Sequence, residues 1–230
     1  MEIQAHKALS NESRIEIIRL LYMNSLTVDE ISKKVKIQPI TVRHHLRILE
    51  EADLIKHEDF KKGTAGRPIV KYQIAREVPQ ISFPRRQYLT LSNLFITTSS
   101  FLLGEKRAGE LFKKVGFEMG VSTVKKLEAK YDIKEWSLEK FTDVFVNKYL
   151  KEIGSEPQIV DVKKGKIVYK LHNCIFYELA VDKPDIVCDL LHDNFSKGIS
   201  EGLGGKVKFE RPKCLARGDG FCEHKCSWSK

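Results

Sequence analysis

Residues 10–51 carry the pattern of three helices joined by very short connections. Ser10 is predicted to cap the first helix, and Thr27 with Glu30 three residues later has the spacing of a capping box for the second. Pro39, after Gln38, suits the first turn of the third helix. The first helix is indicated by apolar residues at helical spacing, namely Ile15, Ile18, Leu21 and Tyr22. The spacing therefore predicts a compact unit of three helices.

The third helix has two chemically different faces. Val42, Leu46 and Leu49 form an apolar face. The rest of its surface is polar and is predicted to contact DNA, through Gln38, Thr41, Arg43, His44 and Arg47. A helix, a short helix, a tight turn and a polar third helix predict a helix-turn-helix unit whose last helix enters the major groove.

A predicted hairpin follows this unit. Residues 53–60 and 67–75 look like strands joined by the basic, Gly-rich segment KKGTAGRP, which predicts a wing. Lys61, Lys62 and Arg67 are expected at the phosphate backbone or in the minor groove. Residues 1–87 carry 16 Lys and Arg against 11 Asp and Glu, a net charge of +5 within a chain of net charge +9. A trihelical scaffold with a solvated face is the alternative, but the agreement of these features favours binding to double-stranded DNA.

The segments LSNESRIEIIRLL, LTVDEISKKVKIQPITVRHHLRILEEADLI and GTAGRPIVKYQI resemble winged-helix transcriptional regulators of the ArsR type. The GRP tip is similar to that of the iron–sulfur-sensing repressors of cluster-assembly operons. The resemblance implies a homodimer that reads a pseudo-palindromic operator. The cysteines with which some ArsR proteins bind metal in this domain are absent, since none precedes Cys174. Sensing is therefore expected further along the chain.

Beyond residue 80 the sequence predicts a linker helix and a second domain. A helix over 88–103, within a linker spanning 81–105, has one apolar face (Leu91, Leu94, Phe95, Thr98 and Leu102) and is predicted to serve dimerisation or coupling. The next helix has glycines at or near it, at positions 104, 109, 116 and 120, which suggests close packing against another backbone.

Helices near 137–151 and 184–202 and strands near 158–163, 166–172, 207–216 and 221–228 then predict a compact α+β domain over 106–230. The fold class expected for the whole chain is α+β, with a winged helix-turn-helix domain over 1–80, the linker helix, and this C-terminal ligand- or metal-binding sensor domain.

The segments LFKKVGFEMGVSTVKKL, NFSKGISEGLGGKVKFE and CLARGDGFCEH resemble the 4-vinyl reductase type of small-molecule-binding domain, which also forms the sensor half of phenol-responsive activators. The resemblance implies an apolar cavity for a small hydrophobic effector beside a cysteine-rich metal site. Aromatic residues that could line the cavity, or be ordinary core, are Phe117, Trp136, Phe141, Phe145, Tyr149, Tyr169, Phe176, Tyr177 and Phe195.

All five cysteines lie at or after Cys174. An odd, clustered set in a reducing compartment favours metal, redox or catalytic chemistry over a disulfide framework. If the hairpin RGDG is symmetric about Gly218, Cys214 lies opposite Cys222, with β-carbons about 4.5–5.5 Å apart, close enough to share an ion. On the second strand, alternation would place Cys222, His224 and Cys226 on one face.

Cys188 is expected to supply a third thiol, and the spacing of Cys188, Cys214 and Cys222 is similar to that of zinc ligands in the phenol-sensing relatives. Cys174 is the favoured fourth ligand, and it also resembles a cluster ligand of the iron–sulfur repressors. Glu210, His224 and Cys226 remain alternatives. Zinc is the expected metal and an iron–sulfur cluster the alternative, since four thiolates suit both. The competing interpretation is that these thiols are small buried hydrophobes.

Other function classes have less support. The apolar stretch LFITTSSFLL is too short to span a bilayer and the N-terminus lacks a signal-peptide core, so a cytoplasmic protein is expected. A metalloenzyme needs an open metal position, which four thiolates would close. No catalytic triad, P-loop or dinucleotide fingerprint is present in the sequence. The sequence therefore predicts a non-enzymatic, sequence-specific transcriptional regulator with a C-terminal sensor, or alternatively an iron–sulfur redox-sensing repressor.

Overall fold

A computed structural model describes residues 2–60, 69–75, 86–163 and 165–229. The chain divides into two compact units, Met1–Arg86 and Gln87–Lys230. Helices and sheets occur together, so the predicted α+β class is confirmed. Within the described part of the chain, no helix has the length and apolar character needed to cross a membrane.

In its described residues, the first unit contains four helices and a two-stranded sheet. The elements are α1 (Glu2–Leu9), α2 (Glu12–Met23), α3 (Val28–Val35), α4 (Pro39–Glu51), β1 (Ile55–Phe60) and β2 (Ile69–Ile74). Helix α1 is additional to the three helices expected from the sequence. Its Ala5 and Ala8 are fully buried, so α1 is part of the core rather than a loose extension.

The helix starts follow local side-chain chemistry. The Thr27–Glu30 capping box is confirmed, with both of its hydrogen bonds present. Pro39 occupies the first turn of α4, as predicted. The prediction that Ser10 caps α2 is wrong, because the Asn11 side chain accepts from the backbone N–H of Arg14 while the Ser10 hydroxyl donates to the Lys7 carbonyl.

Strands β1 and β2 form the predicted antiparallel hairpin, with Ile55 opposite Ile74 and Phe60 opposite Ile69. A single bridge between Leu26 and Tyr72 ties the α2–α3 connection to β2. The core of the unit collects the apolar faces of all four helices, and includes Ile17, Leu21, Ile31, Leu46 and Leu54. The wing tip, with Lys61, Lys62 and Arg67, lies outside the described residues.

The second unit packs helices against a four-stranded antiparallel sheet of order β3-β4-β6-β5. Its helices are α5 (Tyr88–Leu103), α6 (Glu105–Tyr131), α7 (Leu138–Lys140), α8 (Leu150–Glu152), α9 (Tyr177–Asp182) and α10 (Asp193–Gly202), and its strands are β3 (Pro157–Lys163), β4 (Lys166–Leu171), β5 (Val207–Lys213) and β6 (Cys222–Trp228). Phe141–Tyr149 and Asp185–His192 are wound as π-helix and continue into α8 and α10. The elements agree with the sequence prediction with two exceptions: α9 was not expected, and the strand predicted over 207–216 ends at Lys213, after which Leu215–Arg217 form a 3₁₀ turn.

Glycines allow α6 to lie close to the π-helical segment Asp185–His192 and to α10. A methyl group on Gly116 would collide with the carbonyl of Leu191, and one on Gly198 would collide with the carbonyl of Phe117. The predicted close packing is therefore present at Gly116 and also at Gly120. Gly104 has no atom within 4 Å of its would-be β-carbon and serves the α5–α6 turn instead, with a φ of 75°.

Candidate functional sites

The exposed surface of α4 is the first candidate site. Val42, Leu46 and Leu49 are buried, as predicted. Of the eight residues predicted to contact DNA, the five at α4 are all exposed, namely Gln38, Thr41, Arg43, His44 and Arg47. Arg47 makes one weak exposed pair with Glu51, at 3.7 Å between Nε and Oε1. Such a pair stabilises little, so the guanidinium is available to another acceptor.

Two features of α4 were not foreseen. Ile40, in the first turn, is 75% exposed beside the polar residues. His45 is buried, and its Nδ1 has no hydrogen-bond partner among the described residues. Burial lowers the pKa of His45, with smaller contributions from Arg14 and His44. The helix therefore exposes the apolar Ile40 beside several polar side chains. Its buried face contains the imidazole of His45, which is neutral at physiological pH.

The second candidate site is a cavity of about 130 Å³ inside the second unit. Its wall is mainly apolar, from residues such as Met119, Leu150, Val187 and Phe195, and its polar members include Ser155, Asn173, His192 and Arg211. Cys174, Cys188, Cys214 and Cys222 all line it, so the four predicted metal ligands lie around one space.

The aromatic residues predicted for the cavity have different places. Phe176 lines it, and so do Tyr149 and Phe195. The other six candidates are not in its wall, namely Phe117, Trp136, Phe141, Phe145, Tyr169 and Tyr177. Trp136 donates to Glu128, Phe145 stacks between Phe141 and Tyr149, and Tyr169 stacks on His224, so these rings are committed to the core.

Two thiols lie in direct contact. Cys188, on the π-helical segment, and Cys214, just after β5, have Sγ atoms 3.7 Å apart, and both residues are free cysteines. Tetrahedral zinc with Zn–S bonds of about 2.3 Å places its sulfur ligands about 3.8 Å apart, so this pair fits one ion. Burial, with a smaller contribution from the neighbouring Cys214 thiol, raises the pKa of Cys188 to about 12.

Cys222 lies next to this pair across the hairpin. Lys213 lies opposite Glu223. Continuing this register by one residue would place Cys214 opposite Cys222, as predicted, but β5 ends at Lys213 and the strand pairing does not reach them. The backbone N–H of Cys214 instead donates to Asp219, and that of Leu215 donates to the Sγ of Cys222 at 3.2 Å. The hairpin therefore orients the Cys222 sulfur through the backbone rather than by strand pairing.

Cys174 is half-buried, and burial raises the pKa of its thiol. Among the residues that the structure describes, no three Cys, His, Asp or Glu side chains converge as a metal site. The sulfur donors and the distance between Cys188 and Cys214 fit a thiophilic metal ion. Cys174 and Cys222 line the same cavity, but they do not converge with this pair as a set of metal ligands.

The three alternative ligands lie elsewhere. Cys222, His224 and Cys226 alternate onto the buried face of β6, as predicted. His224 stacks on Tyr169, and Cys226 is hydrogen-bonded to the same tyrosine. Glu210 is exposed and lies opposite Lys225 in the register of β5 and β6. None of the three, Glu210, His224 or Cys226, lines the cavity wall.

A ladder of ion pairs fastens the cysteine hairpin to the Cys188 segment. Arg217 bonds Asp185 and Asp189 at 2.8 and 2.6 Å, and Arg211 bonds Asp189 and Asp193 at 3.1 and 3.0 Å. The Arg211 side chain is only 10% exposed, so its pairs are little screened. Sequence reasoning missed this ladder, although the four-residue spacing of the aspartates is visible in the sequence.

The charge of Arg211 also affects the cavity. Burial, with a smaller contribution from the nearby Arg211, lowers the pKa of His192 to about 4, so His192 is neutral at physiological pH. The site thus combines an apolar space, a neutral imidazole, a paired guanidinium and thiols, of which those of Cys174, Cys188 and Cys222 have pKa values raised by burial. It can enclose a small apolar molecule, and it offers sulfur to a metal that displaces the thiol protons.

Comparisons with known proteins identify the first unit. Residues 11–57 match the family described as bacterial regulatory protein, arsR family. An uncharacterized HTH-type transcriptional regulator of Methanocaldococcus jannaschii is 30% identical over 69 residues, which are 30% of this chain and 73% of the relative. The chain belongs to the ArsR family of helix-turn-helix regulators. The matched ArsR segment contains α2, α3 and α4.

Two solved structures are similar to this ArsR-family chain at low identity. The phenol-responsive sensory domain of the transcription activator PoxR, with phenol, has a TM-score of 0.46 and 14% identity, covering 82% of this chain and 90% of that one. A trafficking protein particle complex subunit 3 from Naegleria fowleri, covalently bound to palmitic acid, has a TM-score of 0.44 and 15% identity, covering 62% and 97%.

Proposed function

We propose that this protein is a sequence-specific transcriptional regulator that reads double-stranded operator DNA with α4. The observation that carries the proposal is the division of α4 into a buried apolar face and an exposed face with Arg43, His44 and Arg47. Arginine can bind guanine in the major groove through two parallel hydrogen bonds, which supplies sequence discrimination. Membership of the ArsR family supports the same function.

A gel-shift titration tests this function. Arg43→Ala and Arg47→Ala should each weaken binding to an operator selected from random DNA by about 1–3 kcal/mol at the base that the residue reads. Arg19→Ala, which removes an exposed arginine on α2, is the matched control and should leave specificity unchanged. Undiminished affinity in both α4 variants would remove this helix from the DNA contact.

The second unit is proposed to be the sensor, with a small apolar effector in the thiol-lined cavity. Its volume of about 130 Å³ is similar to the roughly 150 Å³ of an apolar cavity that binds benzene. A small aromatic molecule therefore fits by size and polarity. The effector can change the affinity of the regulator for DNA only if it binds one conformation of the regulator more tightly than another.

Thermal unfolding in the presence of toluene or phenol tests the cavity. Binding to the folded state should raise the transition temperature of the wild-type protein. Ala216→Leu adds volume at the cavity wall and should remove the shift. Ala129→Leu makes the same change at an exposed position of α6 and should retain it.

A metal is proposed as the second component of the sensor. Cys188 and Cys214 would hold the ion, with Cys222 and Cys174 completing four thiolates. Zinc would crosslink the hairpin to the π-helical segment and stabilise the unit, because binding free energy is folding free energy in such sites. An iron–sulfur cluster with a redox response is the alternative, supported by the same donor set. Elemental analysis and an absorption spectrum of anaerobically purified protein distinguish colourless zinc protein from brown cluster protein.

A further inference from the structure

The four-stranded sheet of the second unit has one side that carries many positive charges. Buried residues alternate along β4 and β6, so the residues between them point to the opposite, solvent side. We name this side the lysine face, because six lysines lie on it: Lys163, Lys166, Lys170, Lys208, Lys213 and Lys225. Among the described residues, the carboxylates on the same side are those of Asp161, Glu210 and Glu223. The face is therefore basic, which was not foreseen from the sequence.

One row of the lysine face crosses all four strands. Its members, in the strand order β3-β4-β6-β5, are Lys163, Lys166, Ser227 and Lys208. Like charges on directly opposed residues destabilise a sheet, and Lys163 and Lys166 are such a pair. Lys163 bonds Asp161 at 2.7 Å, whereas Lys166 and Lys208 have no ion pair within the described part of the chain. An anionic partner would relieve the repulsion in this row.

Protection of the sheet edges explains only part of the lysine face. Lysines on edge strands keep a sheet from pairing with another chain, and β3 and β5 are the edges of this sheet. Lys166 and Lys170 lie on β4 and Lys225 lies on β6, which are the two central strands. Half of the lysines therefore have no role in protecting an edge.

A second row places two ammonium groups beside a phenyl ring. Lys170 and Lys213 lie on the two sides of Glu223 in the strand register. Their Nζ atoms are 4.0 and 4.9 Å from the centroid of the Phe221 ring, which is half-buried. A cation over an exposed ring contributes less than a nucleobase stacked on the ring. A base can therefore displace the two lysines, which are then available to phosphates.

The two rows are close enough for one nucleic-acid strand to reach both. Lys166 and Lys170 are four residues apart on β4, which separates the rows by about 13 Å. Folds that bind single strands combine a basic surface along the backbone with aromatic rings on which bases stack. Four-stranded sheets with aromatic residues on an open face bind single-stranded RNA in this way. The lysine face has both components.

We propose that the lysine face binds single-stranded nucleic acid, with phosphates on the lysines and one base stacked on Phe221. Lysine is a compact charge that suits phosphate oxygens, and contacts to phosphate do not depend on sequence. An acidic protein or a lipid headgroup could neutralise the lysines, but neither offers a base to the ring. The face lies in the second unit, so the proposal does not depend on the reading of operator DNA by α4.

Fluorescence anisotropy of the full-length protein measures this binding, with a labelled twenty-nucleotide oligothymidylate and an oligouridylate of the same length. The double variant Lys166→Gln, Lys208→Gln should lower the affinity about tenfold at low salt. It should also reduce the slope of log affinity against log salt by about 1.4, since each phosphate contact of a single strand contributes about 0.7. The double variant Lys125→Gln, Lys126→Gln makes the same charge change at exposed positions of α6 and should retain both the affinity and the slope.

Variants of Phe221 separate stacking from charge. Phe221→Leu should lower the affinity for the oligonucleotides about fivefold or more without changing the salt slope, because a stacked base is lost and no phosphate contact is. Phe221→Tyr keeps an aromatic ring and should keep the affinity. The replaced side chains lie on the solvent side of the sheet, so the thermal unfolding of these variants should match that of the wild-type protein.

Four results would overturn the proposal. The first is a wild-type protein that binds neither oligonucleotide. The second is an equal loss in the lysine-face variant and the α6 variant, since net charge alone would then cause the binding. The third is an equal loss of affinity for a random duplex of the same length, since the ligand would then be the duplex backbone. The fourth is full affinity in Phe221→Leu, since the lysines would then accept any polyanion, including an acidic protein or an anionic membrane.

Discussion

Gly120 of α6 lies directly against the backbone of Phe195 in α10, with no room for a β-carbon at position 120. A methyl group there would collide with the Phe195 carbonyl and would lie 2.7 Å from the Ile199 nitrogen. Because both obstacles are backbone atoms, neither can rotate away. The two helices must separate to accept any side chain, and α10 continues from the segment that carries Cys188.

Gly120→Ala is therefore expected to destabilise the second unit, although alanine is the better helix former. Overpacking typically costs about 1–3 kcal/mol, which exceeds the roughly 0.5–1 kcal/mol gained from helix propensity. Gly109→Ala in the same helix is the control, because its methyl group would meet only Leu190 at 3.5 Å. Thermal unfolding should show a lower transition for Gly120→Ala and an unchanged or higher one for Gly109→Ala. A stabilised Gly120→Ala variant would contradict the helix crossing.

Ile40 is predicted to read a thymine. It is 75% exposed in the first turn of α4, beside residues proposed to contact base edges, and an aliphatic side chain there can pack on the thymine methyl group. Replacing one operator thymine by uracil removes that methyl group and should cost about 0.8 kcal/mol for the wild-type protein.

The Ile40 prediction is checked by a cycle of protein and DNA changes. Ile40→Ala should bind the thymine operator more weakly and should no longer distinguish thymine from uracil at that position. Arg47→Ala should bind more weakly yet keep the distinction. If every thymine can be exchanged without affecting the wild-type protein, Ile40 has no role in base reading.

Much of the fold could be predicted because its signals are local. The Thr27–Glu30 capping box and Pro39 fix helix starts through groups three residues apart or fewer, and the structure confirms both. The alternation of Cys222, His224 and Cys226 likewise follows from the period of a strand. The α2 cap was predicted one residue early, since Ser10 and Asn11 are both good caps and only the folded backbone decides between them.

Two features could not be predicted: the exposure of apolar residues on α5, where Phe101 is 85% exposed, and the ladder formed by Arg211 and Arg217. Periodicity shows that α5 has an apolar face, but not which surface that face meets. The partners of Arg211 are 18 and 22 residues away, beyond the reach of any local pattern. Trp136, Phe141, Phe145 and Tyr169, which were proposed for the cavity, lie in the core instead, because membership of a cavity wall depends on tertiary packing.

His45 should make the first unit less stable at acidic pH. Burial lowers its pKa from the usual 6.5, so the unfolded chain binds a proton more readily than the folded chain. The contribution of neutral His45 to the free energy of unfolding is present above about pH 6.5 and is lost as the pH falls below that value. Among the described residues, the Nδ1 atom of His45 has no hydrogen-bond partner that would stabilise the protonated ring in the folded state.

Hydrogen exchange of amides in α2 and α4, corrected for intrinsic rates, measures this effect between pH 5 and 7. His45→Leu should remove much of the loss of protection on acidification. His44→Leu, which removes an exposed imidazole from the same helix, should keep it. An identical loss in the wild-type protein and in His45→Leu would place the sensitivity in another group.

Cys222→Ser is expected to release the proposed metal and loosen the second unit, whereas Cys226→Ser should keep the metal. Both cysteines are buried on the same face of β6. Cys222 lines the cavity with Cys188 and Cys214, whereas Cys226 is hydrogen-bonded to Tyr169. Serine at either position removes a buried sulfur, so comparing the two variants separates loss of a ligand from loss of packing.

Elemental analysis should find about one zinc per chain in the wild-type protein and in Cys226→Ser, and much less in Cys222→Ser. The unfolding transition of residues 87–230 should fall with the metal, while DNA binding by the first unit, which has its own core, should be affected less. Full metal content and an unchanged transition in Cys222→Ser would exclude Cys222 as a ligand, and an equal loss from both variants would mean that the metal depends on the packing of β6 rather than on this thiol.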